Sequence, residues 1–257
     1  MKNLLMILLC TLSIFGMLSC GTVPTGNEIP VTDTDTAAEQ EPPTATSAFD
    51  PDAAYAAILT ECRNLLSAPQ NSAEYPDGLL GLYEAAMALG SEAMDTIGYV
   101  FRDINADTIP ELLIGSFDKP DDAYTKNEIY AAYTHNGKSP VLLFSGWARN
   151  SYALTDENTL YHHGSGGAAY SIFGEYRISE AGEFQCINAY FTYPKDDEMT
   201  EIGFYRNTSG IMDPAEAEEW TVSADEFWAA GDVIAAKTAK LSAVPFSADT
   251  TLDANPA

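Results

Sequence analysis

Positive charge is what this 257-residue sequence has least of: Lys and Arg number 12 against 38 Asp and Glu, a formal net charge of −26. So few bases cannot neutralise a phosphate backbone, which argues against any nucleic-acid partner. The same shortage argues against electrostatic docking on anionic lipid headgroups. An acidic surface instead favours solubility and attracts cations or basic partners. Cysteine and histidine are also scarce, at 4 and 3, which leaves little material for a zinc site. No apolar run reaches the about 20 residues of a membrane span. No unit of about 20–50 residues repeats, which excludes solenoids and propeller arrays.

The first residues are of another kind. Lys2 precedes an apolar stretch, residues 4–15, broken only by Thr11 and Ser13 and followed by Gly16-Met17-Leu18-Ser19-Cys20. A charged start, a short apolar centre and small residues at the end make a secretory leader; an uncleaved anchor, the alternative, needs a longer run. Leu18-Ser19-Cys20-Gly21 resembles the lipobox of bacterial lipoproteins, with Met17 and Leu18 where that family usually has Leu and a small residue. The resemblance implies a signal peptide over 1–19 and lipid on Cys20. The mature chain would then be held at the extracellular face of the cell membrane by its acyl chains alone. Residues 22–48 are rich in Thr, Pro, Glu and Asp and carry no Lys or Arg. Such a stretch cannot bury enough surface to offset its ordering entropy, so 20–49 is expected to be a disordered acidic tether. A single domain over 50–246 and a flexible tail over 247–257 complete the expected organisation.

Cys10 belongs to the leader and Cys20 to the lipid, which leaves Cys62 and Cys186. An oxidising setting permits their pairing; the place of Cys62 on an apolar helix face favours two unpaired buried thiols. That helix begins at Asp50-Pro51 and repeats Tyr55, Ile58, Leu59, Cys62, Leu65 and Leu66 at three- and four-residue spacing. Asp77 is expected to cap a second helix, with Leu79, Leu80, Tyr83, Ala86, Met87 and Met94 on one face and Gly90 inside it. From residue 97 the pattern turns β-branched and aromatic. Strands are expected at 99–102, 111–117, 128–135, 141–147, 151–155, 159–162, 168–178, 184–193 and 202–206. Links such as Asn136-Gly137, Asp156-Glu157-Asn158 and Glu180-Ala181-Gly182 are short, and short links demand antiparallel neighbours. Ser223 and Glu226 form a capping box for a last helix running to about residue 239, with Lys237 and Lys240 near its C-terminal end. The fold class is therefore α+β, with N-terminal helices and a C-terminal helix packed on an antiparallel β-meander.

One segment carries a recognisable chemistry. In Asp103-Ile104-Asn105-Ala106-Asp107-Thr108-Ile109-Pro110-Glu111, oxygen-bearing side chains fall at the first, third, fifth and ninth positions. Hard cations such as Ca2+ take six to eight oxygens, and such spacing in a turning loop can supply them. The candidate ligands are Asp103, Asn105, Asp107, the carbonyl of Ile109, and Glu111. The wider run from Tyr99 to Ile114 resembles a motif of secreted and lipid-anchored Gram-positive proteins, Tyr-x-x-x-Asp-Ile-Asp/Asn-Gly-Asp-Gly-x-x-Glu-Leu-Leu-Ile. That motif is similar to the short calcium loops of integrin-type propeller repeats. The resemblance implies an exported accessory protein stabilised by Ca2+. Ala106 and Thr108 stand where the motif has Gly, so a plain turn in which the acidic side chains cap backbone amides is the competing reading.

Other candidates are weaker. His162-His163-Gly164-Ser165-Gly166-Gly167 lacks the Lys of a P-loop and the glycine of a nucleophile elbow. It reads as a flexible strand connection with two exposed histidines, and Ser165 with Asp156 has only nearness in sequence to suggest a triad. Trp147, Tyr161, Tyr170 and Tyr176 are candidates for a sugar-stacking platform, although aromatics on strands more often make core contacts. With 38 acids present, no catalytic pair can be chosen by inspection. The function expected is a lipid-anchored extracellular protein with a binding or accessory domain for a protein or glycan. An extracellular hydrolase using carboxylates is the alternative.

Overall fold

The computed structural model describes residues 49–68, 77–117 and 127–248. The expected leader, Cys20, the expected tether to residue 48 and residues 249–257 lie outside these. Helix α1 (Pro51–Ser67) starts as its sequence dictates: the Asp50 carboxylate accepts from Ala53 N, and Pro51 opens the first turn. Tyr55, Leu59, Cys62, Leu65 and Leu66 are buried on one face. The second helix departs from expectation. Asp77 and Gly78 form a turn, with Gly78 at φ 81°, and α2 (Leu80–Leu89) begins behind Leu79 with no side-chain cap. At Gly90 a φ of 56° with ψ −121° ends α2. A three-ten turn, Gly90–Glu92, and the single-turn helix α3 (Ala93–Thr96) follow. The buried face of α2 also differs from the expected one: Gly81, Leu82 and Ala86 are covered, whereas Met87 is 48 % exposed.

Nine strands lie where alternation placed them: β1 (Ile97–Arg102), β2 (Glu111–Ser116), β3 (Glu128–His135), β4 (Pro140–Ser145), β5 (Asn150–Leu154), β6 (Leu160–Gly167), β7 (Tyr170–Ile178), β8 (Phe184–Pro194) and β9 (Ile202–Asn207). Two short edge pieces, β10 (Glu218–Glu219) and β11 (Val244–Pro245), add to them. Two residues cannot alternate, so neither carries a sequence signal. All the strands pair antiparallel in one sheet ordered β10-β9-β8-β7-β6-β5-β3-β2-β1-β11. The fold is α+β. β3 is shared on one side: its later residues, Ala131 to His135, pair with β4, and Ile129 faces Tyr152 of β5. The chain passes from β4 to β5 through a tight turn in which Trp147 and Asn150 exchange backbone bonds of 2.9 and 2.7 Å.

Side chains alternate across the sheet. Tyr99, Leu112, Ile114, Tyr130 and Tyr133 pack with α1 and α2. Leu113, Ile129, Leu154, Leu160 and Tyr176 form a second cluster with Ala239 and Leu241. The capping box at Ser223 and Glu226 starts α4 (Ala224–Ala235). Its Phe227 is fully buried against Phe173, with ring centroids 4.9 Å apart, and Gly231 lies over the same ring. Burial of Phe227 contributes about 1.5–3 kcal/mol. α4 ends before Lys237 and Lys240, so neither sits in its last turn; Lys237 instead bonds Glu157 at 3.2 Å. The C-terminal segment is held further than expected. Phe246 is fully buried, its carbonyl accepts from Arg63, and Ser247 N donates to Met94 O at 3.0 Å. Cys62 and Cys186 are free thiols, the first buried and the second half-buried.

Candidate functional site

The acidic loop joins β1 to β2 and is built around its own amides. Asp103 accepts from Ala106 N at 2.7 Å and from Thr108 N at 3.0 Å. Asn105 Oδ1 accepts from Asp107 N at 3.1 Å, and Asp107 Oδ1 from Ile109 N at 2.7 Å. Asn105 Nδ2 donates to Asp107 Oδ2 at 3.1 Å. Glu111 is fully buried. Its two oxygens accept from Ile104 N at 2.9 Å and from the Thr134 hydroxyl at 3.0 Å. Burial raises its pKa to about 7 against the pull of those two bonds, with Asp107 and Asp103 pushing it further up. Tyr55 seals the loop's far end by donating to Pro110 O at 3.0 Å. Ala106 and Thr108 take φ of 65° and 76°, the left-handed backbone that glycine adopts without cost. The side chains that the resemblance offers to Ca2+ are thus engaged with the loop itself. Among the described residues no three His, Cys, Asp or Glu side chains gather as a metal-holding group.

A second site lies where β3 passes from β4 to β5. Here α2, the start of β3, the Trp147 turn, β5, β6 and α4 enclose an open cleft of about 860 Å³, within the usual range for small-molecule sites. Two glycines make it possible. A Cβ on Gly81 would stand 2.1 Å from Gly146 O, so only glycine lets α2 sit against the turn that carries Trp147. The Glu84 carboxylate then accepts from Ala148 N at 2.9 Å and fixes that turn to the helix. Ala85 and Ala88 of α2, with Ala235 and Ala236 at the end of α4, line the cleft with methyl groups that leave its volume free.

The polar lining comes from separate elements. Glu84 belongs to α2, Glu128 to β3 and Asp232 to α4, and Lys240 is the one Lys or Arg among the lining residues. Burial raises the Glu128 pKa, a hydrogen bond with Ser151 opposes this, and the charge of Glu84 adds to it. Burial and then Asp232 raise Tyr161 to about 12. Desolvation lowers His163, so its imidazole is neutral at pH 7. Trp147, at the mouth, is 39 % exposed.

Of the four suggested platform aromatics, Trp147 and Tyr161 meet in this cleft. Tyr170 instead packs edge-on against Tyr193 at 5.2 Å, and Tyr176 stacks on Phe184 at 4.9 Å, away from it. The reading of two exposed histidines in a connection is corrected in part: both lie within β6, where His163 is exposed as expected and His162, on the opposite face, is not. His163 reaches the cleft. His162 is buried, stacks on Tyr152 at 4.7 Å, and bonds Asn150 Oδ1 through Nε2 at 2.8 Å. The Asn150 amide nitrogen donates to Ser145 O, which leaves its oxygen to accept and places the imidazole proton on Nε2. Burial, with His163 second, lowers the His162 pKa to about 4. Ser165 donates to Gly167 O, and no bond to a histidine accompanies it. Glu84, Glu128 and Asp232 went unselected in the sequence because nothing separates them from the other acids before folding.

No family model, similar curated protein or similar solved structure was found for this chain. Among the described residues no helix is long and apolar enough to cross a membrane.

Proposed function

We propose that this is a lipid-anchored ligand-binding protein of the extracellular face, its cleft presented on a tether anchored through Cys20. The leader and lipobox-like residues support the placement, and the cleft between α2 and α4 supports the activity. The carrying observation is that three carboxylates with no ion-pair partner among the described residues and two aromatic rings line one open cavity with alanine walls. Ca2+, which the loop's resemblance implies, is at most structural in this reading. A small-fragment screen by ligand-observed NMR tests the cleft. Ala88 is exposed on α2, so Ala88→Trp should fold while filling the cavity. Hits that compete with one another and vanish in Ala88→Trp are expected; hits indifferent to that change would remove the reading. For the placement, Cys20→Ser should release the protein from membranes into the medium; a variant equally membrane-retained and unprocessed would remove the placement.

Glu128 favours a second reading. A carboxyl raised by burial beside another carboxylate is the arrangement that separates a general acid from a base, which keeps an extracellular hydrolase open. Hydrolysis of nitrophenyl glycosides that disappears in both Glu84→Gln and Glu128→Gln would favour it over simple binding.

A further inference from the structure

Resting on that reading, we propose that the cleft selects organic cations, taking an ammonium group with an attached apolar or aromatic body. Glu84, Glu128 and Asp232 approach from a helix, a strand and another helix, and among the described residues none of them forms an ion pair. Lys240 offsets one of these charges. Desolvation biases His163 toward its neutral form, so it adds little positive charge. Glu84 and Glu128 repel each other, Asp232 faces the same cavity, and a cation held there relieves that repulsion. Low-dielectric walls strengthen that attraction. Trp147 and Tyr161 also line the cleft, aromatic rings being the side chains that attract an ammonium, and the alanine walls receive the apolar body. A chain with 38 acids and 12 bases also draws cations toward it at long range. Anionic ligands meet the opposite on every count.

The test uses three probes with one ring and different charge: benzyltrimethylammonium, benzyl alcohol and benzoate. Each is titrated into the full chain, with Trp220→Phe and Trp228→Phe leaving Trp147 as the fluorescent reporter. The cation should bind at least tenfold more tightly than the alcohol, weaken as salt is raised, and benzoate should not compete. Asp232→Asn should weaken the cation several-fold and leave the alcohol unchanged, which a merely structural role for Asp232 would not do. Equal binding of cation and alcohol, or preference for benzoate, overturns the cation proposal while leaving a binding cleft. Failure of all three probes, together with a fragment screen that finds nothing at the cleft, overturns the binding reading as well.

Discussion

Two acidic regions of this protein handle negative charge in opposite ways. In the loop between β1 and β2, four acidic or amide side chains lie within nine residues, and each is hydrogen-bonded locally or to the next strand. In the cleft, three carboxylates converge from residues 84, 128 and 232 and face open volume. The loop's charge organises its own backbone; in the cleft Glu84 also accepts from Ala148 N and Glu128 bonds Ser151, yet none of the three carboxylates has an ion-pair partner among the described residues. Density of acids along the chain is thus a poor guide to where a ligand is wanted, and charge without an ion-pair partner in a cavity is a better one.

The sharpest way to break this comparison is through Glu111. If the loop is internally satisfied, Glu111→Ala strands Ile104 N–H and the Thr134 hydroxyl and opens a hole, at a cost of about 3 kcal/mol. That corresponds to a Tm lower by roughly 6–12 °C. Its ionisation provides an independent check. The folded pKa is about 7 and the ordinary value 4.5, so the native state holds the proton more tightly than the unfolded chain. The protein should therefore be favoured below about pH 4.5 and lose up to roughly 3 kcal/mol as pH rises through 7. His162 works the other way on acidification, its folded pKa being depressed to about 4. The measurement is accordingly the difference between wild type and Glu111→Gln in urea unfolding across pH 4–8. A flat difference would mean that Glu111 is not held as described.

The cleft's counterpart is Gly81→Ala, a single methyl directed at the Gly146 carbonyl. Relief requires α2 to lift from the Trp147 turn and breaks the Glu84 contact with Ala148. The expected cost is about 1–3 kcal/mol, with acrylamide quenching of Trp147 increased in the same variant. A stability loss with unchanged quenching would mean that α2 does not shape the cleft. A silent substitution would mean that the two elements are less tightly apposed than the geometry states.

What was legible in the sequence follows from how far apart the interacting residues lie. The strands were readable because each carries its own alternation, and the helix starts at Asp50 and Ser223 because a cap is a contact across three residues. Asp77 failed as a cap because Asp-Gly makes a turn as readily, and Gly78 at positive φ takes that option. Gly90 ended its helix for a reason no periodicity reveals, a ψ outside the helical range. His162 reads as exposed in a glycine-rich run, yet the strand extends through that run and pairs with β7 as far as Gly167. The loop was legible as a pattern; its amide bonding was not. The cleft was illegible as a whole, for it needs Gly81 beside Gly146 and α4 folded back over β6, contacts separated by some 65 and 70 residues. Its sequence traces are Trp147 and Tyr161, two of the four suggested platform aromatics, and the alanines at 85, 88, 235 and 236.

The finest test of the comparison concerns the loop's backbone and any cation it holds. Thr108 is β-branched and left-handed at φ 76°, a conformation that costs roughly 1–2 kcal/mol for a side chain, partly offset by the extra entropy glycine loses on folding. Thr108→Gly should therefore stabilise the protein by about 0.5–1 kcal/mol. Ala106→Gly should do so by less, because alanine lacks the branch. For Ca2+ the expected effect is smaller still. A loop whose oxygens already accept its amides must give up those bonds to coordinate an ion, so 1 mM calcium against chelator should move Tm by less than about 1 °C. An extracellular-type site with a dissociation constant near 0.1 mM would instead contribute about 1.4 kcal/mol, or roughly 3–6 °C. A shift of that size, enlarged by Thr108→Gly and lost in Asp103→Asn, would mean that the loop opens to a cation. The contrast between a self-contained loop and a waiting cleft would then fall.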